Sequence, residues 1–149
     1  MGILGEIIGR LFARAPRRHT TAYGALYASI VARLGGVTVP GVKIGSTADY
    51  PRIEVHSILE NERLDKEGNV RRMSLTVESM SKSCLGECAA MNDQAMALLT
   101  GAALDPGPGW DCFGVVPVLL QDMTETADTQ AIVYRLIQQY DIWLTRVKD

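Results

Sequence analysis

The chain has 149 residues, the length of one domain, since domains commonly hold about 100–200 residues. A hydrophobic content of 47 % with 21 % charged residues excludes a wholly disordered chain. Fifteen Lys and Arg against seventeen Asp and Glu give a net charge of −2, which excludes a nucleic-acid binder driven by overall charge.

Residues 1–19 form a segment of their own, with four Arg against one Glu. Helical spacing predicts a single apolar stripe of six side chains: Ile3, Leu4, Ile7, Ile8, Leu11 and Phe12. Gly5 and Gly9 weaken such a helix in isolation, so we predict an amphipathic arm that becomes ordered when it docks. Arg17 and Arg18 are predicted in a linker after it, with His19.

This arm predicts neither a secretory signal nor a membrane span. Its positive charges follow the apolar stretch, and Glu6 and Arg10 interrupt it. Its docking partner is either an adjacent protein or an anionic membrane surface. The rest of the chain gives no membrane signal, so we expect a protein partner and assembly in the cytoplasm.

Residues 20–149 predict a single α+β domain that starts with a helix and a hairpin. Thr20 and Thr21 can cap the helix, and Gly35-Gly36 ends it. Its predicted inner stripe consists of Leu26, Ile30 and Leu34. In the first strand the predicted inner face is Ile53, Val55, Ser57 and Leu59, and in its partner Met73, Leu75 and Val77. The polar residues 60–69 between them predict a long hairpin tip.

The second half of the domain predicts a helix and another hairpin. The helix spans residues 84–100, with the inner stripe Cys84, Cys88, Met91, Ala95 and Leu98/Leu99. A strand over 112–123 contains Pro117, which predicts a sheet edge or a bulge. After a turn at 124–130, the last strand over 132–146 places five side chains on one parity: Tyr134, Leu136, Tyr140, Ile142 and Leu144. The predicted fold is an antiparallel sheet of two hairpins with helices packed on one face.

The sequence offers little chemistry, and we predict no catalytic, cofactor-binding or metal site. It has no phosphate-binding loop, nucleophile elbow or dinucleotide fingerprint. Two alternatives stay open: a zinc site formed by His56 with Cys84, Cys88 and Cys112, or a Cys/His dyad using His56. The carboxylates of the hairpin tip are interpreted as solvated surface: Glu60, Glu62, Asp65 and Glu67.

Two further features have both a structural and a functional interpretation. Between residues 83 and 134 there are seven acidic residues and no Lys or Arg: Glu87, Asp93, Asp105, Asp111, Asp122, Glu125 and Asp128. They are either scattered over solvated loops or form a one-signed face that meets a basic partner or lines a negative passage. Trp110 either caps the end of the sheet or anchors an interface.

The stretch from Tyr23 to Arg146 resembles the tail terminator, or tail completion, proteins of long-tailed phages. The ordered set of features carries the resemblance: ALYASIVARLGG, IEVHSILENER, RRMSLTVESMS, NDQAMALLTG, CFGVVPVLLQDM and TADTQAIVYRLIQQYDIWL. Residues 1–19 lie outside it. Arg52, which follows Tyr50-Pro51, departs from the family pattern, in which an apolar or aromatic residue is commoner at this position. This departure predicts that the edge of the strand is more exposed here.

The resemblance implies a virion protein without catalytic residues. Such proteins form a ring of six copies that ends the tail tube and offers a surface to the head connector or stopper protein, while genome DNA passes the lumen without sequence-specific binding. The alternatives are another neck or tail-tube protein, and a small Cys/His enzyme. Candidate assembly contacts are Ile3, Ile7, Leu11, Phe12, Arg17, Arg18, Glu60, Glu62, Arg63, Asp65, Lys66 and Trp110.

Overall fold

The computed structural model describes residues 17–45, 49–63, 69–126 and 131–147. Within them lie two helices, α1 (Arg17–Leu34) and α2 (Leu85–Thr100). The six strands are β1 (Lys43–Ile44), β2 (Arg52–Arg63), β3 (Val70–Ser81), β4 (Trp110–Asp122), β5 (Glu125–Thr126) and β6 (Ile132–Arg146). The predicted α+β class is confirmed.

One sheet contains all six strands, in the order β1-β2-β3-β6-β4, with β5 paired to β6 beside this path. Every pair is antiparallel except β1 with β2, which is parallel. The two predicted hairpins are therefore joined through β6, which lies between β3 and β4. The short parallel strand β1 is an addition that the sequence pattern did not predict.

Both helices contribute to one buried cluster with the inner side chains of the sheet. The helices supply Leu26, Ile30, Leu34, Cys88, Met91, Ala95 and Leu99. The strands supply Ile53, Ile58, Met73, Leu75, Val77, Cys112, Leu136, Tyr140, Ile142 and Leu144. Burying each large aliphatic side chain contributes roughly 1.5–3 kcal/mol, so this cluster stabilises the fold. The predicted stripes of α1, α2 and β6 are confirmed, except that Cys84 is exposed at the start of α2 and Tyr134 and Leu98 are only half-buried.

Helix α1 begins earlier than predicted. It starts at Arg17, so Arg17, Arg18 and His19 belong to its first turn and the predicted linker is wrong at these positions. A proline is tolerated at a helix start because the first N–H groups have no helical partner, so the Pro16 in the sequence is compatible with a start as well as a stop. The predicted end at Gly35-Gly36 is confirmed.

The alternation of β2 changes at His56. Val55 pairs with Val77 and the next paired residue is Ser57, so His56 is an extra residue in a β-bulge. A one-residue insertion moves all following side chains to the opposite face. The predicted inner position of Leu59 is therefore wrong: its side chain is 59 % exposed, and Ile58 is buried instead.

The β2–β3 hairpin is paired further than predicted. Glu60 pairs with Met73, and the ladder continues until Arg63, which pairs with Arg71. The connection therefore begins at residue 64, not at residue 60, because the backbone ladder extends through polar residues. The predicted tip contacts Asp65 and Lys66 lie outside the described residues.

The edge of the sheet at Arg52 is covered, which corrects the expectation of an exposed edge. Strand β1 pairs there, with Lys43 opposite Arg52. The Arg52 guanidinium lies 4.6 Å from the centre of the Tyr50 ring. A cation over an aromatic face is stabilised by the ring quadrupole, so this arginine is accommodated without an apolar side chain.

At the opposite edge, both interpretations of Pro117 are confirmed. Strand β4 ends the sheet order, and its register shifts between Pro117 and Leu119. The predicted turn at 124–130 contains β5, whose residues pair with the start of β6. This extra ladder gives β6 a third partner strand, in addition to β3 and β4.

Candidate assembly surface

The second half of β4 is exposed on both of its faces. Its side chains are buried at Trp110 and Cys112, but every residue from Val116 to Asp122 is exposed. Helix α2 packs on β3 and β6 and reaches only part of β4. The exposed large apolar side chains of this region form what we call the β4 patch: Phe113, Val116, Val118, Leu119, Leu120 and Met123. Exposed apolar side chains concentrated at one edge of a sheet mark an interaction site.

The backbone of β4 is a poor template for adding another strand. Pro117 has no N–H to donate, and bulges at Phe113 and Val118 interrupt the register. Prolines and bulges are devices by which edge strands avoid pairing with other chains. The apolar side chains of the β4 patch are therefore the part of this edge that suits binding.

The acidic residues do not form one face. Asp111 and Asp122 stand near opposite ends of β4, roughly 36 Å apart along a strand rising about 3.3 Å per residue. Asp122 and Glu125 do lie close to the far end of the β4 patch, and both are exposed. Asp128 lies outside the described residues. The one-signed face is thus reduced to a local acidic end next to Met123.

Hydrogen bonds from Thr124 hold the carboxylate of Asp122 in its charged form. The Thr124 hydroxyl donates to Asp122 Oδ1 at 2.6 Å and the Thr124 backbone N–H donates to it at 2.9 Å. These bonds lower the pKa of Asp122 below its ordinary value. This end of the β4 patch therefore carries a negative charge at neutral pH.

On the face of the sheet away from the helices, a buried carboxylate joins three strands. The fully buried Glu78 of β3 accepts hydrogen bonds from His56 of β2 and from Arg135 of β6. Burial alone would raise the pKa of Glu78, but the hydrogen bonds and charges of Arg135 and His56 outweigh burial and lower it. Arg135 also lies 3.2 Å from Glu125 of β5. His56 is thus part of a structural ion cluster, and sequence alone did not indicate its partners.

The cysteines do not assemble into either of the alternative sites. Among the residues that the structure describes, no three His, Cys, Asp or Glu side chains come together as a metal site requires. The Cys88 thiol donates to the carbonyl of Tyr134 at 3.0 Å, and burial raises the pKa of Cys88 to about 12. A thiol with so high a pKa is a poor nucleophile, and His56 binds Glu78 rather than a thiol.

A shallow depression lies between the end of α2 and the start of β4. Its volume is about 180 Å³, and Leu99, Phe113 and Val115 are among the side chains that line it. Of its described lining residues, only Cys112 has an ionisable side chain. The depression therefore offers an apolar recess and not a set of acid–base groups.

Trp110 lies at the other end of β4 from Asp122 and caps the sheet. Only 6 % of it is exposed. Its ring is covered by two guanidinium groups, that of Arg71 at 4.7 Å and that of Arg146 at 4.9 Å from the ring centre. This position agrees with the capping interpretation, and a contact to another subunit stays a prediction that would act through the two arginines.

The other candidate contacts fall into two groups. The structure places Arg17 and Arg18 in α1 and Glu60, Glu62 and Arg63 in β2. Strand β2 is separated from β4 by β3 and β6. Ile3, Ile7, Leu11 and Phe12 lie outside the described residues. The β4 patch itself was missed. Its signal in the sequence is VVPVLL, which is apolar on both parities although its proline indicates an edge.

Comparison with known proteins gives one likeness in structure. No protein-family model matches the sequence, and no curated protein matches it. A chain from the virion of a native gene transfer agent (GTA) particle has a similar structure, with a TM-score of 0.64 and 13 % sequence identity. The likeness covers 83 % of this chain and 97 % of that chain. The two chains therefore share a fold. Neither described helix is long and apolar enough to cross a membrane.

Proposed function

We propose that this chain is a structural protein of a phage-like virion, where six copies form a ring that ends the tail tube and joins it to the head connector. The observation that carries this proposal is the fold shared with a chain of a GTA virion along 97 % of that chain. The resemblance of residues 23–146 to tail terminator proteins supports the more specific role.

The exposed surface of the chain supports assembly. Three members of the β4 patch, Val118, Leu119 and Leu120, are each about half exposed. A monomer in water gains nothing from such a surface, whereas a neighbouring subunit removes it from water. A ring needs a contact between two different surfaces of successive copies, since only a head-to-tail contact closes into a cycle.

The charge of the chain suits a passage through which DNA moves without being bound by the protein. The chain has a net charge of −2, and its acidic stretch from residue 83 to 134 has no Lys or Arg. Binding of DNA through its phosphates needs an excess of basic residues, which neither the chain nor this stretch has, so DNA is expected to pass the lumen without being held.

Native mass spectrometry tests the ring. A mass near six times the 16.2 kDa of one chain is expected for the purified full-length protein, alone or with tail tubes. A chain that stays a monomer in the presence of tubes contradicts the proposal. The Leu119→Asp variant should lose the ring if the β4 patch forms the contact. The Leu59→Asp variant, which changes an exposed leucine of β2 outside the patch, is the control and should keep it.

Location within the particle tests the specific role. Particles assembled without this chain should have tubes of uncontrolled length and unattached heads, and gold-labelled antibody against the chain should mark the head-proximal end of the tube. Label at the connector, on particles whose tubes have normal length, would instead identify a neck adaptor or stopper protein.

A further inference from the structure

Helix α1 presents an outer face without charge. From residue 20 to residue 32 the sequence contains no Asp, Glu, Lys, Arg or His. Two large side chains of this stretch, Tyr23 and Tyr27, are 50 % and 44 % exposed. A surface helix usually carries charged side chains on the face that meets water. The face of α1 that carries the two tyrosines therefore has the composition of a surface that another protein covers.

The tyrosine face is turned away from the loop between α2 and β4 of its own copy. Ser29 of α1 accepts the backbone N–H of Asp105, in that loop, at 3.0 Å. With 3.6 residues per turn, Ser29 and Tyr23, three residues after and three before the buried Leu26, lie on opposite flanks of the helix. Tyr27 stands one turn after Tyr23 and shares its flank. The two tyrosines and this loop therefore face different sides of the molecule.

The recess between the end of α2 and the start of β4 suits one aromatic ring in size and polarity. Its volume is about 180 Å³, and an apolar cavity of about 150 Å³ is large enough for benzene. Leu99, Phe113 and Val115 help to line it, and of its described lining residues only Cys112 has an ionisable side chain. An aromatic ring can therefore enter the recess without meeting a charge.

We propose that Tyr23 and Tyr27 of one copy dock at the β4 edge of a second copy, with one of the two rings in the recess between α2 and β4. This inference rests on the proposed function for the existence of the ring, and it names the contact that links successive copies. Because the tyrosine face and the recess are different surfaces of the chain, the contact is head-to-tail and can close into a cycle. Phe113 belongs to the lining of the recess and to the β4 patch, so the contact reaches that patch.

A second copy fits because the two surfaces complement each other in charge. Residues 20–32 of α1 carry no charge, and neither do residues 112–121 of β4. Contact between these surfaces buries no unpaired charge, which would be costly. The centres of protein–protein interfaces are likewise poor in charged residues and rich in tyrosine. A nucleic acid would find no basic side chain on either surface for its phosphates.

The two tyrosines act as anchors of a larger contact. An aromatic side chain buries roughly 150–250 Å², so two half-exposed tyrosines offer about 200 Å². One partner in a stable interface buries about 800 Å². The exposed Gly24 and Ala28 beside the tyrosines add to this area. A Cβ atom placed on Gly24 would meet no atom within 4 Å, so the space in front of α1 is open to a neighbour.

Photo-cross-linking of the full-length protein tests the contact. Tyr23 or Tyr27 is replaced, one at a time, by the aromatic photo-cross-linker p-benzoylphenylalanine, and light and heavy isotope-labelled copies are mixed before assembly. Irradiation is expected to join at least one of these positions to residues 99–103 or 112–115 of another copy, in light–heavy pairs. Because each copy carries one donor and one acceptor, products of three or more copies are expected. Dimers alone, at a yield high enough to give visible trimers, would indicate a two-fold contact and overturn the proposal.

Variants of the tyrosines measure what the rings contribute. Tyr23→Ala with Tyr27→Ala is expected to raise the protein concentration at which half of the chains are assembled by about tenfold or more, as loss of an interface anchor does. Tyr23→Phe with Tyr27→Phe keeps both rings and should leave this concentration unchanged within about twofold. Thermal denaturation of both variants should resemble that of the wild type, because the two side chains are exposed.

The control is Leu59→Ala, which truncates an exposed leucine of β2 outside both surfaces and should leave assembly unchanged. Cross-links within one copy only, cross-links elsewhere on the chain, or an equal weakening in the control would overturn the proposal. So would cross-links to the tail tube protein in place of a second copy. A six-copy mass without cross-links to the recess overturns the docking and leaves the ring; a chain that stays a monomer overturns the ring itself.

Discussion

The part of the sheet under α1 and α2 and the second half of β4 differ in what covers them. Where α1 and α2 lie on the sheet, side chains such as Leu75 and Ile142 are fully buried. In the second half of β4, Leu119 and Leu120 are of the same chemical type and about half exposed. The sheet has more apolar surface than its two described helices cover. The covered part of the sheet serves folding, and under the proposed function the second half of β4 serves association.

The sharpest test of this division is a pair of leucines. Leu75→Ala is expected to lower the free energy of unfolding by about 2–5 kcal/mol, since it leaves a cavity in the buried cluster. Leu120→Ala should change it by less than about 0.5 kcal/mol, the usual range for an exposed position. Urea denaturation of the isolated chain measures both. Equal losses would mean that the β4 patch belongs to the core of the monomer.

The buried carboxylate is the next test, on the opposite face of the same sheet. Glu78→Gln removes the charge that Arg135 and His56 bind, and should destabilise the fold by about 1–3 kcal/mol at neutral pH. Asp93→Asn, at an exposed position of α2, is the matched control and should have little effect.

The Glu78→Gln variant also tests how the stability of the fold depends on acidic pH. Because the folded pKa of Glu78 lies below its ordinary value of 4.5, its contribution to stability is fully present above that pH. The contribution is lost as the pH falls through the folded pKa and the carboxylate becomes protonated. The stability difference between wild type and Glu78→Gln should therefore shrink below about pH 4.5, and a difference that grows there would contradict the assignment.

A smaller effect is expected at Tyr140, in the covered half. Its side chain is fully buried, and its hydroxyl has no hydrogen-bond partner among the residues that the structure describes. Tyr140→Phe removes a polar group whose solvation is lost on folding, so it should raise the free energy of unfolding by up to about 1 kcal/mol. Thermal denaturation measures the change; a loss of more than about 1 kcal/mol would reveal a partner for the hydroxyl.

The smallest effect on folding, and a clear one on association, is expected at Pro117. Pro117→Val supplies the N–H that the exposed edge lacks and should change the free energy of unfolding by less than about 0.5 kcal/mol. Light scattering should then show concentration-dependent aggregation, because the edge becomes a better template for another strand. An unchanged scattering signal would assign the protection of this edge to its bulges.

Uninterrupted periodicity made much of the fold predictable. The inner stripes of α1 and α2 and the parity of β6 each follow one period, and the structure confirms them except at Cys84, Leu98 and Tyr134. The predicted inner face of β2 is correct only as far as Val55, because the extra residue His56 shifts the alternation after it. Strand β1 has two residues, too few for any pattern to show.

The candidate surface was harder to predict, for a physical reason. Apolar residues on both parities, as in VVPVLL, are typical of a strand buried on both faces, and exposure depends on how far α2 reaches. The Glu78 cluster was missed because its members are far apart in sequence: Arg135 lies 57 residues after Glu78. Such pairs depend on the strand order, which local patterns do not contain.

The position of β6 between β3 and β4 has a consequence for the time course of folding. Strands β3 and β4 are translated before β6, yet in the sheet they are connected only through it. During synthesis the β2–β3 hairpin can form early, whereas β4 waits with its apolar side chains unpaired until residues 132–146 have left the ribosome. Pro117, which weakens the edge in the finished domain, also protects β4 from premature pairing during this interval, because it has no N–H to donate.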